Sequence, residues 1–360
     1  MNQPSDQSKE SSSDLPEEFR RYAKQIRFGG IGVEGQRKIA DARVAVVGCG
    51  ALGSVLANLL SRAGVGRLLI LDRDFVERDN LQRQVLYNES DVGQPKAKVA
   101  ERKLRQVNSE IVIEGRILDV DHRNIESQLL EPEPVDVVLD GSDNFEIRFL
   151  INDVCVKHQL PWVYGGCLGA EGQVMSILPG KTACLNCLML DGPPAPGTTA
   201  TCDSGGILST IIHVIAATQV NEALKILTND LGLVSRSLQV FDLWNNRSHS
   251  MNLGKLRDDV DCPTCKRGEY IWLDGKRGSH SVVLCGRNAV QVSYPERASI
   301  DLATLAERLR SSGRVDSNEF LVRLHVDGFV LTAFEDGRAI INGTSDIAVA
   351  KKLYAQYIGA

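Results

Sequence analysis

No apolar run in this chain approaches the roughly 20 residues that a membrane helix needs, so no bilayer-spanning segment is expected. The N-terminus lacks the apolar stretch of a secretory signal. Basic charge is not in excess: 41 Lys and Arg stand against 46 Asp and Glu, which argues against general nucleic-acid binding. Nor do the cysteines form an even set. Nine of them, without an export signal, point to a reducing cytoplasm and to metal or thiol chemistry. Internal repeats are missing, and so is a P-loop. Gly180-Lys181-Thr182 looks like the end of one, but Met175 stands where its upstream glycine belongs, so a turn leading to Cys184 is expected.

With 360 residues, 43% of them hydrophobic, the chain can hold a large domain and a small one. Residues 1–18 are polar, serine-rich and acidic, and read as a disordered tail. Phe19 to Ile39 has helical character broken by Gly29, Gly30 and Gly32. Val44 to Val47 is an apolar strand that runs into Gly48-Cys49-Gly50-Ala51-Leu52-Gly53, a helix over 54–63, and a second strand over 67–71. That order is a βαβ unit. A helix over 92–108, a strand over 110–114 and a strand over 135–139 continue the alternation. The expected fold is therefore α/β, a doubly wound, Rossmann-like and mostly parallel sheet. Residues 190–206 read as a long Pro/Gly/Thr loop, followed by an apolar helix from Ile207 to Leu227 in which His213 is expected to be a packed core residue. From about 273 a small α+β domain is expected. It has strand material over 281–292, a helix over 302–309, paired strands over 320–341 with turns at Asp327-Gly328 and Asp336-Gly337, and a final helix capped by Ser345.

The Gly48-x-Gly50-x-x-Gly53 loop follows a strand and opens a helix, so its amides can approach a phosphate; the competing reading is a tight turn alone. Asp72 ends the next strand, where a carboxylate accepts ribose hydroxyls. A nicotinamide dehydrogenase would need nothing more. This chain adds Asp79-Asn80-Leu81-Gln82-Arg83-Gln84 and Gln94-Pro95-Lys96. Arg83 and Lys96 suit a triphosphate and Asn80 its placement, while the bland alternative is solvated surface charge. Asp143 and Asn144, beyond a later strand, suit Mg²⁺ and an α-phosphate. Cys184 and Cys187 form one Cys-x-x-Cys pair, and Cys262 and Cys265 another. Four such sulfurs suit one structural Zn²⁺ with no open position. Cys49, Cys155 and Cys167 read as packing residues. Cys202, near the start of the apolar helix, reads either as a reactive thiol or as a spare one.

Taken together these stretches resemble the ThiF/MoeB family, the bacterial relatives of ubiquitin-activating enzymes. The matching segments are Arg21 to Ile26, the glycine loop, Asp72-Arg73-Asp74, Asn80 to Gln84, Gly93 to Lys96, Gly141 to Asn144, Arg148, both cysteine pairs and the Cys202 loop, within residues 19–272. The resemblance implies ATP-dependent adenylation of the C-terminal glycine of a small ubiquitin-like sulfur carrier ending in Gly-Gly. It also implies a homodimer, and a sulfurtransferase or cysteine desulfurase as sulfur source. It assigns the nucleotide to Gly48, Gly50, Ala51, Gly53, Asp72, Asp74, Asp79, Asn80, Leu81, Gln82, Arg83, Lys96, Asp143 and Asn144. Asp143 is assigned Mg²⁺, and Cys202 matches a loop cysteine that carries a thioester or persulfide-linked species in some members. Lys24 stands where the family has an arginine that reaches across a dimer. Ala51 replaces a common glycine. The tail does not read as a rhodanese domain, because Asn288 to Val292 continues as strand after Cys285-Gly286-Arg287. Two other readings are adenylation of a different carboxylate or tRNA base, and a zinc-stabilised nucleotide-binding or partner-binding module without turnover.

Overall fold

The structure, a computed structural model, describes residues 15–190, 192–193, 205–277, 281–284, 288–292 and 299–359. The chain divides into two compact units, one within 1–166, 171–192 and 209–273, the other within 167–170, 193–208 and 274–360.

An eight-stranded sheet organises the first unit. Its strands are β1 (Arg43–Val47), β2 (Arg67–Asp72), β3 (Val112–Ile117), β4 (Val137–Asp140), β5 (Trp162–Leu168), β6 (Glu171–Ile177), β7 (Ser237–Asp242) and β8 (Arg247–Asn252), in the order β3-β2-β1-β4-β5-β6-β7-β8. β1 lies in the middle of the parallel half, with Val46 opposite both Ile70 and Leu139. Val44, Ala45 and Val46 are fully buried, as expected of a parallel strand covered on both faces. The helices are α1 (Ala23–Ile26), α2 (Gly32–Asp41), α3 (Ala51–Ala63), α4 (Lys96–Val107), α5 (Ile125–Leu130), α6 (Phe145–Lys157), α7 (Leu185–Leu188), α8 (Ser209–Leu227) and α9 (Leu256–Asp259). Both β6–β7 and β7–β8 are antiparallel, so the far half departs from the parallel pattern. The strand–helix alternation does not anticipate that half. β8 reads Arg-Ser-His-Ser-Met-Asn and is exposed throughout, so it carries no apolar signal.

Local chemistry corrects several expected boundaries. Leu15 is buried and joins Phe19, Tyr22, Ala23 and Ile26 in a small core, so residues 15–18 belong to the fold; residues 1–14 lie outside the described residues. α4 begins at Lys96 rather than 92, because Pro95 sits at its N-cap. His213 is exposed on α8, where its Nδ1 meets the Ser209 carbonyl at 2.9 Å, so it is not a packed core residue. Cys49 and Cys155 are buried, as packing cysteines should be.

The second unit holds β9 (Ser281–Leu284), β10 (Ala289–Val292), β11 (Arg314–Ser317), β12 (Leu321–Val326), β13 (Phe329–Phe334) and β14 (Ala339–Asn342), in the order β11-β12-β13-β14-β10-β9 with every pair antiparallel. Leu305 and Leu309 of α10 (Leu302–Leu309), with Ala350 and Tyr354 of α11 (Ile347–Tyr357), share a core with Val290, Val322, Leu324 and Ile341. The β12–β13 turn falls at Asp327-Gly328 as expected, with φ of 49° and 80°, the positive values a two-residue hairpin needs. α11 is capped by Asp346, whose carboxylate accepts from the Ala348 and Val349 amides, rather than by Ser345. Cys285–Arg287 lies outside the described residues, and β10 follows it as strand.

Candidate functional site

The parallel strands end together at the point where the sheet order reverses between β1 and β4, the place where open α/β sheets leave a crevice. β1 runs into the glycine loop there. A Cβ on Gly53 would lie 1.8 Å from the Gly48 carbonyl oxygen, and one on Gly48 would lie 2.7 Å from the Gly141 oxygen. Only bare backbone fits, and the N-terminus of the thirteen-residue α3 opens onto the loop. Gly50 is the N-cap and Ala51 the first helical residue, half-buried, so its methyl is accommodated.

Asp72, at the end of β2, holds this loop in shape. Its Oδ2 accepts from the Cys49 amide at 2.5 Å, and its Oδ1 from the Asp74 amide at 2.6 Å. Burial raises its pKa, an effect that the nearby Lys96 ammonium opposes. Lys96 is itself 2% exposed, and its Nζ lies 3.1 Å from Asp74 Oδ2. Tyr87, which the sequence reading does not single out, locks the same elements together. Its hydroxyl donates to the Cys49 carbonyl at 2.7 Å and lies 3.3 Å from the Lys96 carbonyl. The strand ends, the glycine loop and the head of α4 thus form one hydrogen-bonded block.

Asn80 is fully buried and spends its side chain on its own turn: Oδ1 accepts from the Glu77 amide, and Nδ2 donates to Asp79 Oδ1 at 3.1 Å. Arg83, half-buried, donates to the Asp79 carbonyl at 2.8 Å. Leu81 is half-buried, whereas Gln82 and Asp79 are exposed. On the opposite lip, Asp143 is exposed after β4, and Asn144 caps α6 by accepting from the Glu146 amide at 2.8 Å. The Asp143 charge acts on Arg73 from across the crevice. Burial alone would lower the Arg73 pKa, but Asp119, Asp74 and Asp143 together raise it. The arrangement offers amide donors, a buried cation and an exposed carboxylate within one crevice, a donor set that suits a nucleoside triphosphate with a divalent cation.

Away from the crevice, the four predicted cysteines converge. Their sulfurs all lie within 4.8 Å of one another, with Cys184–Cys187 at 3.8 Å, Cys184–Cys262 at 3.6 Å and Cys187–Cys265 at 3.4 Å. Tetrahedral zinc with Zn–S bonds of about 2.3 Å places sulfurs about 3.8 Å apart, so the donor set fits that ion. When bound, zinc would cross-link the two turns.

Residues 22–264 match the ThiF family, about two thirds of the chain. The chain belongs to the ThiF family.

A Bacillus subtilis relative named sulfur carrier protein ThiS adenylyltransferase is 42% identical over 342 residues, covering 94% of this chain and 99% of its own. The SAMP-activating enzyme E1 of Haloferax volcanii is 36% identical, covering 69% of this chain and 89% of its own. Among solved structures, E. coli MccB with ATP aligns with a TM-score of 0.58 at 25% identity, covering 70% of this chain and 75% of its own. In this ThiF-family chain the bonds described above join the glycine loop, Asp72, Asp74 and Lys96, and the Gly141 backbone that leads to Asp143 packs against Gly48. Lys24 is exposed on α1, and no described bond joins it to the crevice. Cys202 lies outside the described residues. Besides Tyr87, the sequence reading misses Asp140, Asn152, Asp153 and Gln219, four fully buried polar residues. Polar residues at full burial are the signal, and burial is legible only in the fold.

Proposed function

We propose that this chain is an ATP-dependent adenylyltransferase. It would activate the C-terminal glycine of a ubiquitin-like sulfur carrier ending in Gly-Gly and release pyrophosphate. The observation that carries the reading is the crevice itself, with the Lys96 ammonium buried behind a loop that only glycine can form. Its agreement with a relative named as a ThiS adenylyltransferase over 94% of the chain supports the same reading.

In this reading the carrier carboxylate attacks the α-phosphate of ATP, and the leaving pyrophosphate keeps the displaced electron pair. No side-chain nucleophile is needed; positioning and charge neutralisation supply the rate. The glycine-loop amides and the start of α3 hold the phosphates, with Lys96 and Arg83 placed against their charge. Asp72, Asp74, Asp79, Asn80, Leu81, Gln82 and Asn144 shape the pocket around them. Mg²⁺, when bound by Asp143, would neutralise phosphate charge. Zinc at the cysteine cluster would be structural. We assign Cys202 to the later sulfur transfer and Lys24 to a partner protomer's site in a homodimer, with a sulfurtransferase or cysteine desulfurase as donor. We place the adenylation chemistry in residues 19–272 and a separate, non-catalytic role in 273–360.

The test is ATP–pyrophosphate exchange with Mg²⁺ and each host protein that ends in Gly-Gly. Exchange that depends on one such carrier supports the proposal. Exchange without any carrier but with another carboxylate would move the activity to a different substrate. Tight ATP binding with no exchange would leave a binding module.

A further inference from the structure

β4 ends at Asp140, and the loop from Gly141 to Asn144 carries the exposed Asp143. That loop is tied from below by one buried side chain. Arg148, on the first turns of α6, donates through Nε to Asp140 Oδ2 at 3.1 Å and through Nη2 to the Ser142 carbonyl at 2.9 Å and the Gly165 carbonyl at 3.3 Å. Asp140 Oδ1 in turn accepts from the Ser142 amide at 2.9 Å and its hydroxyl at 2.6 Å. The guanidinium is caged by two rings, 5.2 Å from the Phe145 centroid and 5.3 Å from that of Tyr164. From the next layer, Gln219 of α8 donates to the Asp140 and Val163 carbonyls at 2.9 and 3.1 Å. Gly165 has no room for a side chain there, since a Cβ would lie 2.4 Å from the Gln219 amide.

Every donor on this scaffold points at backbone or at Asp140, and none is spent on Asp143. An exposed carboxylate on an untethered loop would sample many positions. A cation site needs its ligand held, because ordering it at the moment of binding costs conformational entropy.

We infer that Arg148 is a positioning residue. Acting through Asp140 and the Ser142 backbone, it holds the loop that presents Asp143 to the metal of the bound nucleotide. The inference rests on the proposed role of Asp143. A guanidinium is required because three acceptors in different directions are met by one planar fork, which an ammonium cannot reproduce.

The test measures ATP affinity of the full chain by calorimetry with and without Mg²⁺, for wild type, Arg148→Lys, Ser142→Ala and Asp143→Ala. Arg148→Lys keeps the charge beside Asp140. It is expected to bind metal-free ATP as wild type does and to lose about tenfold of the affinity that Mg²⁺ adds, the scale on which supporting groups around a metal site act. A merely structural defect would weaken both affinities alike. Ser142→Ala removes a single hydroxyl at a half-buried position, is expected to shift in the same direction, and decides the matter if Arg148→Lys is insoluble. A Mg²⁺ gain unchanged in both variants, with the gain lost in Asp143→Ala, overturns the positioning role alone. A wild-type gain retained in Asp143→Ala, or no gain in the wild type, overturns the role of Asp143 itself.

Discussion

Thr264 donates its hydroxyl to Asp153 at 3.3 Å, joining the second cysteine turn to the middle of α6 across 111 residues of sequence. The other oxygen of Asp153 accepts from the Trp272 and Leu273 amides at 2.9 and 3.4 Å. Its neighbour Asn152 accepts from the Leu185 amide at 2.9 Å, and Asn186 donates to Thr264. Both cysteine turns therefore hang on two consecutive residues of one helix. Asp153→Ala should leave the four sulfurs in place but loosen their frame. Zinc affinity, followed with a chromogenic chelator, should fall by about 10- to 100-fold. Unchanged zinc retention would show that the cysteines assemble without α6.

Gly53→Ala should prevent the glycine loop from closing. The added methyl would overlap the Gly48 carbonyl, which is backbone and cannot swing away. Overpacking of this kind costs about 1–3 kcal/mol or more, so ATP binding by calorimetry should vanish or the protein should fail to fold. Gly29→Ala, where nothing lies within 4 Å, is the control and should behave as wild type.

Lys96→Met should keep the buried aliphatic volume and remove the charge that Asp74 and the phosphates share. Loss of one preorganised charge against a developing anion costs about 100- to 1,000-fold in rate. Pyrophosphate exchange should drop on that scale. Activity within a few-fold of wild type would reduce Lys96 to a structural partner of Asp74.

Cys202→Ala should spare exchange and impair only the transfer of sulfur to the carrier, read as carrier thiocarboxylate by mass spectrometry. If exchange itself is lost, the residue acts earlier than proposed.

Cys49 should resist alkylation. Burial, reinforced by the Asp72 carboxylate, pushes its pKa up to about 12, so at pH 8 it is a thiol rather than a nucleophilic thiolate. Iodoacetamide treatment of the folded protein at pH 8 should leave Cys49 unmodified. Its reactivity should rise only as the pH approaches 12 or as the protein unfolds. Rapid labelling of the native chain at pH 8 would mean that the glycine loop opens.

Much of the site was legible because its signals are local. The glycine loop, the carboxylate at the end of β2 and the two Cys-x-x-Cys turns each declare themselves within a few residues, and backbone geometry ties such patterns to chemistry. The edge strands β6–β8 were not legible, since β8 is polar and exposed throughout. Solvated charge stands as the alternative reading of Lys96 in the sequence; only the fold buries it against Asp74. The exposure of His213 is not legible either, because an apolar stretch does not say which face of its helix meets solvent.

By itself, then, the sequence determined the alternation of strands and helices, the bare backbone of the glycine loop and the identity of the four cysteines that cluster, each a matter of neighbours along the chain. Tertiary structure alone decided that Arg148 and Asp140 brace one lip of the crevice, that Tyr87 joins Cys49 to Lys96, and that Asn152 and Asp153 carry the two cysteine turns. Those partners lie 8 to 119 residues apart. What selects them is the high cost of leaving a buried polar group unpaired, and which groups are buried is settled only when the layers pack.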